Sequence, residues 1–361
     1  MNIGILSMQE VKNYGSFLQA YSLKKNIEKL GHSCDFINIV PGEQIGIYKK
    51  SRFYKFRLLC KRLNGRDFIK RLKYIYLFQN RFKKEFLPEL GVKTDYSNNK
   101  KHYDVIVIGS DEVFNCAQKT WFGFSPQLFG EGLNAGKIIS YAGSFGATTV
   151  DILKELGLKE RVASYLKKNF SSISIRDINS YEVVNMLTGI EPVLNVDPVI
   201  LTDWNKYMPH EHVSLKDYMI VYTYPGRISD EKEIAAIKRY AASHQLKLVS
   251  IGHYFSWVDQ TVVPHPFEVL AYFRDASCIV TDTFHGSIFS IKNEKQFCAI
   301  VRNMNSNKLT YLLQQFGLGN RIVSNIETLN TILDTQIDYG SVNEIIDKEI
   351  IRGLNYLKSN L

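Results

Sequence analysis

Four short polar segments, each placed where an apolar run ends, hold the residue types that could grip an anion and handle a hydroxyl. The most informative is Cys278-Ile279-Val280-Thr281-Asp282-Thr283-Phe284-His285-Gly286-Ser287, a strand pattern that breaks into polar residues and opens a helix. Strand ends of this kind face ligands in α/β sheets. A phosphate or carboxylate at the new helix start would meet free backbone N–H groups and the positive end of the helix dipole. Gly286, with Ser287 beside it, would let the backbone come close, and His285 would serve as donor or acid. The plainer alternative is a helix start capped by Asp282 or Thr283, which leaves His285 and Gly286 without a task. In Val107-Ile108-Gly109-Ser110-Asp111-Glu112-Val113-Phe114-Asn115, Asp111 either orients or deprotonates a hydroxyl or caps a turn. In Ser174-Ile175-Arg176-Asp177, the planar fork of Arg176 either holds a carboxylate or phosphate or pairs with Asp177 or Asp197. The fourth segment, Asn13-Tyr14-Gly15-Ser16, frames a loop but lacks the GxGxxG spacing of a dinucleotide site.

Other chemistries lose support by absence of pattern. The sequence has no GxxxxGK[ST], HExxH or GxSxG motif, which disfavours P-loop NTPases, zinc proteases and elbow-type hydrolases. His32, His210, His212 and His265 have no metal-ligand spacing, and no metal is expected. The five cysteines are odd in number and contain no CxxC pair, so they read as free thiols rather than a disulfide framework or zinc site.

The elements that must position these segments follow from the hydrophobic period. Residues 2–6 read as a strand, followed by a loop and a helix with Ala20, Leu23, Ile27 and Leu30 on one face and Gly31 at its end. Cys34 to Val40 reads as the next strand, closing at Pro41-Gly42. Further strands are expected at 104–109, 137–141, 172–175 and 193–196, with helices near 151–169 and 179–188. A Pro-containing, aperiodic stretch from Asp197 to about His212 suits a connector. A second alternation then runs through strands at 218–222, 247–251, 278–281 and 296–301 and helices at 230–244, 266–274 and from 286. The expected fold is α/β, with two Rossmann-like domains facing a cleft. Residues 1–205 form the first domain, 206–340 the second, and a helix within 341–361 packs back near the junction.

A chain of 361 residues exceeds what one core comfortably supports, in keeping with two domains. No apolar run approaches the roughly 20 residues of a membrane span, and the first residues enter a strand without a basic, cleavable leader pattern. The expectation is a cytoplasmic protein. The formal charge of +9 is concentrated between Lys49 and Lys101. Within it, residues 48–90 interleave Phe and Tyr with Lys and Arg and interrupt the strand–helix rhythm, reading as a basic helical insertion in the first domain. Such a segment is either a solvated face over a small core or a patch for a peripheral membrane surface.

In combination, these segments resemble the polysaccharide pyruvyl transferase family. The resemblance is carried by Asn13-Tyr14-Gly15-Ser16 with Leu18-Gln19-Ala20-Tyr21, Ile108-Gly109-Ser110-Asp111 and Ser140-Tyr141-Ala142-Gly143-Ser144-Phe145-Gly146. It continues through Ile175-Arg176-Asp177, Asp197-Pro198-Val199-Ile200-Leu201 with Trp204, and Thr281-Asp282-Thr283-Phe284-His285-Gly286. It implies a glycosyltransferase-B-like fold, phosphoenolpyruvate as co-substrate, a sugar hydroxyl pair as acceptor, and a pyruvate ketal plus phosphate as products. Motif by motif, it implies Arg176, His285 and Lys308 as donor-binding residues, with Gly286 and Ser287 at the helix start. The implied acid is His285. The implied acceptor side is Asn13, Tyr14, Gly15, Ser16, Ser110 and Asp111. The implied setting is capsule, exopolysaccharide or cell-wall glycan synthesis, the acceptor including the case of a lipid-linked oligosaccharide. No cofactor is expected, and no nucleic-acid partner. Two competing readings are a nucleotide-sugar-dependent glycosyltransferase of the same fold and a non-catalytic, basic protein that binds membrane or nucleic acid.

Overall fold

The computed structural model describes residues 1–45, 65–118, 120–302 and 306–361. Two six-stranded sheets, every strand pair parallel, carry the fold. In the first, the strands are β1 (Asn2–Leu6), β2 (Ser33–Phe36), β3 (Tyr103–Asp111), β4 (Ala135–Gly143), β5 (Ser174–Ile175) and β6 (Val193–Leu194). They lie in the order β2-β1-β3-β4-β5-β6. In the second, β7 (Tyr218–Tyr222), β8 (Lys247–Ile251), β9 (Gln260–Val262), β10 (Cys278–Thr281), β11 (Phe297–Ile300) and β12 (Ile322–Val323) lie as β12-β11-β10-β7-β8-β9. Each order reverses once, between β1 and β3 and between β10 and β7, and ligands of open α/β sheets bind outside the strand ends at such reversals.

These strands are apolar on both faces because helices cover both. β7 and β10 are buried at every position, the signature of a parallel sheet inside a layered fold. Helix α1 (Tyr14–Lys29) starts at Asn13, whose side chain accepts from the Ser16 N–H, and stops at Leu30, with Gly31 following at φ 89°. Helix α2 (Gly65–Arg81) leads through a π turn (Phe82–Phe86) into Leu87–Leu90. Helices α3 (Ile178–Thr188), α4 (Phe284–Lys292), α5 (Ser306–Gln315) and α6 (Tyr339–Asn360) complete the parts that matter for the site.

The expected architecture is present, with local differences. The strand expected to reach Val40 ends at Phe36, although Ile37 still donates its N–H to the Ile5 carbonyl at 2.8 Å. The helix expected over 151–169 is two, Val150–Glu155 and Lys159–Asn169, split around Gly157 at φ 67°. The short strands β9 and β12 were not evident from the sequence. The 197–212 stretch is not bare connector: Asp197 caps a turn of helix (Pro198–Leu201), and Trp204 is buried with its indole N–H on the Val199 carbonyl at 2.8 Å.

Helix α6 does return across the junction to the first sheet. Tyr356 Oη donates to the Ser140 carbonyl at 2.9 Å, and a Cβ at Gly353 would stand 2.5 Å from Tyr141 Oη. Residues 48–64 of the expected 48–90 insertion lie outside the described residues. Its described part is neither a solvated face alone nor a separate core. Phe78, Phe82 and Phe86 are buried in the main core, where Tyr14 and Phe17 of α1 meet His253 and His265 of the second lobe. The opposite face of α2 leaves Ile69 and Tyr76 exposed. Among the described residues, no helix is long and apolar enough to cross a membrane.

Candidate active site

The carboxyl ends of both sheets meet in a cleft of about 200 Å³. From the first lobe it is lined by Asn13 and Ser16 after β1, Asp111 and Glu112 at the end of β3, and Arg176 after β5. From the second come Tyr224 and Arg227 after β7, Thr283, Phe284 and His285 after β10, and Lys308 in the first turn of α5. The reversal points of both sheets therefore supply most of the wall, as the topology requires.

A charge network runs through the cleft floor. Arg176, its side chain 1% exposed, donates from Nη1 to Asp197 Oδ2 at 2.6 Å and from Nη2 to Asp111 Oδ1 at 2.9 Å. Its guanidinium lies 4.2 Å from the Phe284 ring centroid, and its Nε has no hydrogen-bond partner. The other Asp111 oxygen accepts from Ser16 Oγ at 2.9 Å. Asp197 also accepts from Ser110 Oγ at 3.2 Å and from the Val199 N–H at 3.1 Å, and faces His285 Nε2 at 3.5 Å. That last separation is at the limit of a hydrogen bond, and Nε2 stands buried without a good acceptor. Lys308 reaches over the cleft to bond Glu112 of the opposite lobe.

Burial opposes every one of these carboxylate charges, yet the cations prevail. Asp197 is held down at about 2 by His285, Arg176 and the Val199 N–H. Asp111 is lowered by Arg176, His285 and Lys308, and Glu112 by Lys308. The same carboxylates outweigh the burial of Arg176 and raise its pKa further. Asp111 sits at φ 68°, a left-handed conformation that non-glycine residues rarely take, and this turns its carboxylate off the strand line into the cleft.

The predicted residues separate into those in the cleft and those behind its wall. Arg176, His285 and Lys308 come from three distant segments and line one cavity, together with Asn13, Ser16 and Asp111. Arg176 is at the same time the ion-pair partner of Asp197, the alternative raised for it. Ser110 is fully buried and braces Asp197. Thr283, rather than Asp282, caps α4, and it takes up the Gly286 N–H at 2.9 Å. A Cβ on Gly286 would fall 2.2 Å from Thr281 Oγ1, so this glycine permits close packing under the cap. Ser287 is buried, with Oγ on the Thr283 carbonyl at 3.3 Å. Tyr14 points away from the cleft and donates to the Pro264 carbonyl at 2.9 Å, tying the lobes together.

Gly15 supports the histidine. A Cβ there would lie 2.2 Å from His285 Nδ1 and 2.3 Å from Cγ. Ala is a better helix former than Gly, so Gly15→Ala is expected to keep α1 and push the imidazole aside. A displacement of about 1 Å can cost about 100-fold in turnover. Turnover with an unchanged melting temperature is the measurement, and wild-type turnover in Gly15→Ala would show that the histidine position is not demanding.

Glu112, Tyr224 and Arg227 of the wall escaped the sequence reading, as did the part of Asp197, buried behind the wall, as the hub of the network. Glu112 follows Asp111 directly, and Arg227 stands five residues past the buried end of β7, so the strand-end rule applied at every strand would have found both.

Two facing parallel sheets with a charged cleft at their reversal points define a two-lobed α/β protein of the glycosyltransferase-B architecture. Among solved structures, the glycotransferase of kitacinnamycin aligns with a TM-score of 0.52 at 9% identity, covering 100% of this chain and 99% of that one. A UDP-GlcNAc 2-epimerase from Methanocaldococcus jannaschii in complex with UDP-GlcNAc and UDP aligns at 0.47, with 12% identity over 99% of this chain and 100% of that one. An O-GlcNAc transferase mutant from Thermobaculum terrenum aligns at 0.41 and 13% identity, and the chain spans 64% of its length while 99% of the chain is covered. Comparison with curated proteins gives no match. The sequence profile of the polysaccharide pyruvyl transferases matches residues 13–303, and the chain belongs to that family.

Proposed function

We propose that the protein transfers the pyruvyl group of phosphoenolpyruvate to a pair of sugar hydroxyls, closing a pyruvate ketal and releasing phosphate. The observation that carries this reading is the convergence of Arg176, Arg227, His285 and Lys308 from both lobes on one small cleft. At about 200 Å³ it lies below the roughly 300–1,000 Å³ typical of drug-sized ligands, and suits a compact, highly charged donor better than a nucleotide sugar.

His285 delivers a proton to C3 of the enol, and positive charge develops at C2. Asp197, ionised at neutral pH, faces the imidazole at 3.5 Å. A sugar hydroxyl attacks C2, a new C–O bond forms, and its proton returns to the histidine. The C2–O bond to phosphate then breaks, the second hydroxyl closes on C2, and its proton leaves with phosphate. Asp111 has a lowered pKa and two committed oxygens, which suits orienting a hydroxyl more than deprotonating it. Fixed charges in a partly dry cleft stabilise the developing cation and the leaving phosphate. The setting we infer is synthesis of a capsule, exopolysaccharide or cell-wall glycan, with phosphoenolpyruvate supplied as co-substrate.

The test is phosphate release from phosphoenolpyruvate in the presence of candidate sugar acceptors, beside nucleoside diphosphate release from nucleotide sugars. Phosphate release with a 70-dalton-class mass gain on the acceptor, about that of one ketal-linked pyruvyl group, supports the reading. Turnover of nucleotide sugars alone overturns it.

A further inference from the structure

Arg176, Arg227, Lys308 and the His285 imidazole line the cleft, and three of the four already face carboxylates. Arg176 is held by Asp111 and Asp197, Lys308 by Glu112, and His285 faces Asp197. Arg227 differs. It makes no ion pair among the described residues, its guanidinium rests on the Tyr224 ring 4.7 Å from the centroid, and Nη1 touches only the Asp282 carbonyl at 3.4 Å. The weak, long contact leaves most of its five donors free for the cleft.

Its place in the fold points the same way. Arg227 follows β7, and Asp282 to His285 follow β10, so the two segments flank the strand-order reversal of the second sheet. On the facing side, α4 begins at Phe284, and its first N–H groups have no intrahelical acceptor. Of the first N–H groups of α4, Thr283 Oγ1 accepts that of Gly286, and it also lies 3.0 Å from Thr281 Oγ1. Two buried polar atoms of the same cleft, His285 Nε2 and Arg176 Nε, also stand without hydrogen-bond partners, on side chains of residues 6% and 3% exposed. A cleft with orphaned donors, a helix start and a guanidinium outside any ion pair among the described residues is built for an anion.

We infer that Arg227 is the phosphate anchor of the site. It binds the phosphoryl group of the donor between its guanidinium and the start of α4, and it holds the phosphate product afterwards. A group near two negative charges gains most from the cation that forms no ion pair among the described residues, and the Tyr224 ring fixes the plane of the fork without competing for its donors. The donor carboxylate is then left to the Lys308 and Arg176 side of the cleft. This assignment deepens the phosphoenolpyruvate reading and rests on it for the donor's identity, but not for the anion.

The experiment compares the full chain with Arg227→Gln and Arg227→Lys. It measures inorganic phosphate affinity by calorimetry, and kcat and KM for phosphoenolpyruvate by phosphate release, with melting temperatures to check folding. A lost charged hydrogen-bond pair corresponds to about 10- to 100-fold. Arg227→Gln is therefore expected to raise both the phosphate Kd and the KM by that factor, with kcat changed by less than about threefold, and Arg227→Lys to recover part of it. Unchanged phosphate affinity and KM in folded Arg227→Gln overturn the assignment. Phosphate binding that depends on Arg227 in a protein that never releases phosphate from phosphoenolpyruvate keeps the anchor and overturns the donor reading instead.

Discussion

His285→Asn is expected to release phosphate from phosphoenolpyruvate about 100- to 10,000-fold more slowly than the unaltered chain, the range that a positioned acid or base contributes. Asparagine keeps a polar head of similar reach but cannot carry a proton to carbon. The environment gives the loss its size. The imidazole is packed against Gly15, faces the ionised Asp197, and has Nε2 unspent in the cleft. Folding is not at stake, because α4 is capped by Thr283 and not by the histidine. The melting temperature should stay within a few degrees while kcat falls and KM for the donor changes little. A variant that retains wild-type kcat would remove His285 from the proton transfer, and the mechanism with it.

The second large effect is on stability. Arg176→Met would leave Asp111 and Asp197 buried beside an apolar chain, and removing one partner of a buried ion pair costs about 3–5 kcal/mol. Arg176→Lys should be little better, since one ammonium cannot reproduce two forked bonds. The pH dependence follows from the direction of the shifts. The Asp197 carboxyl is depressed to about 2 in the folded chain, so its contribution is present above the ordinary carboxylate range and disappears as pH falls from about 4 toward 2. Without Arg176 the raising effect of burial is less opposed, the stranded carboxyls move above the ordinary carboxylate range, and protonation relieves them as pH falls toward 4. The deficit of Arg176→Met should thus be greatest at pH 7 and narrow toward pH 4. Adding Asp197→Asn to it should recover part of the melting temperature. Thermal melts at pH 7, 5.5 and 4 decide the matter: a deficit that is flat with pH, or absent, would mean that the network is not what holds this end of the first lobe.

These two residues mark how far a linear reading carries. The alternation of strands and helices and the polar breaks after β1, β3, β5 and β10 depend on neighbours within a few residues, so they were legible. The break after β7 was equally local, and Arg227 went unnoticed there. The two-way ambiguity at Arg176 could not be resolved, because its partners lie 65 and 21 residues away. Strand Gln260–Val262 is three residues long and exists through its pairing with β8, which no period of its own announces. Residues 48–90 read as a basic helical insertion, yet in its described part the face that matters is the one wedged between lobes.

By itself the sequence determined the fold class, the family and the segments that would face a ligand, since hydrophobic period, capping residues and motif order are properties of short stretches. The tertiary structure alone decided which side chains share the cleft, that Gly286, Ser287 and Tyr14 stand behind its wall, and that Arg227 lines the cleft without an ion pair among the described residues. Charge pairing and burial are sums over groups that folding brings together from remote parts of the chain, and no local pattern records them.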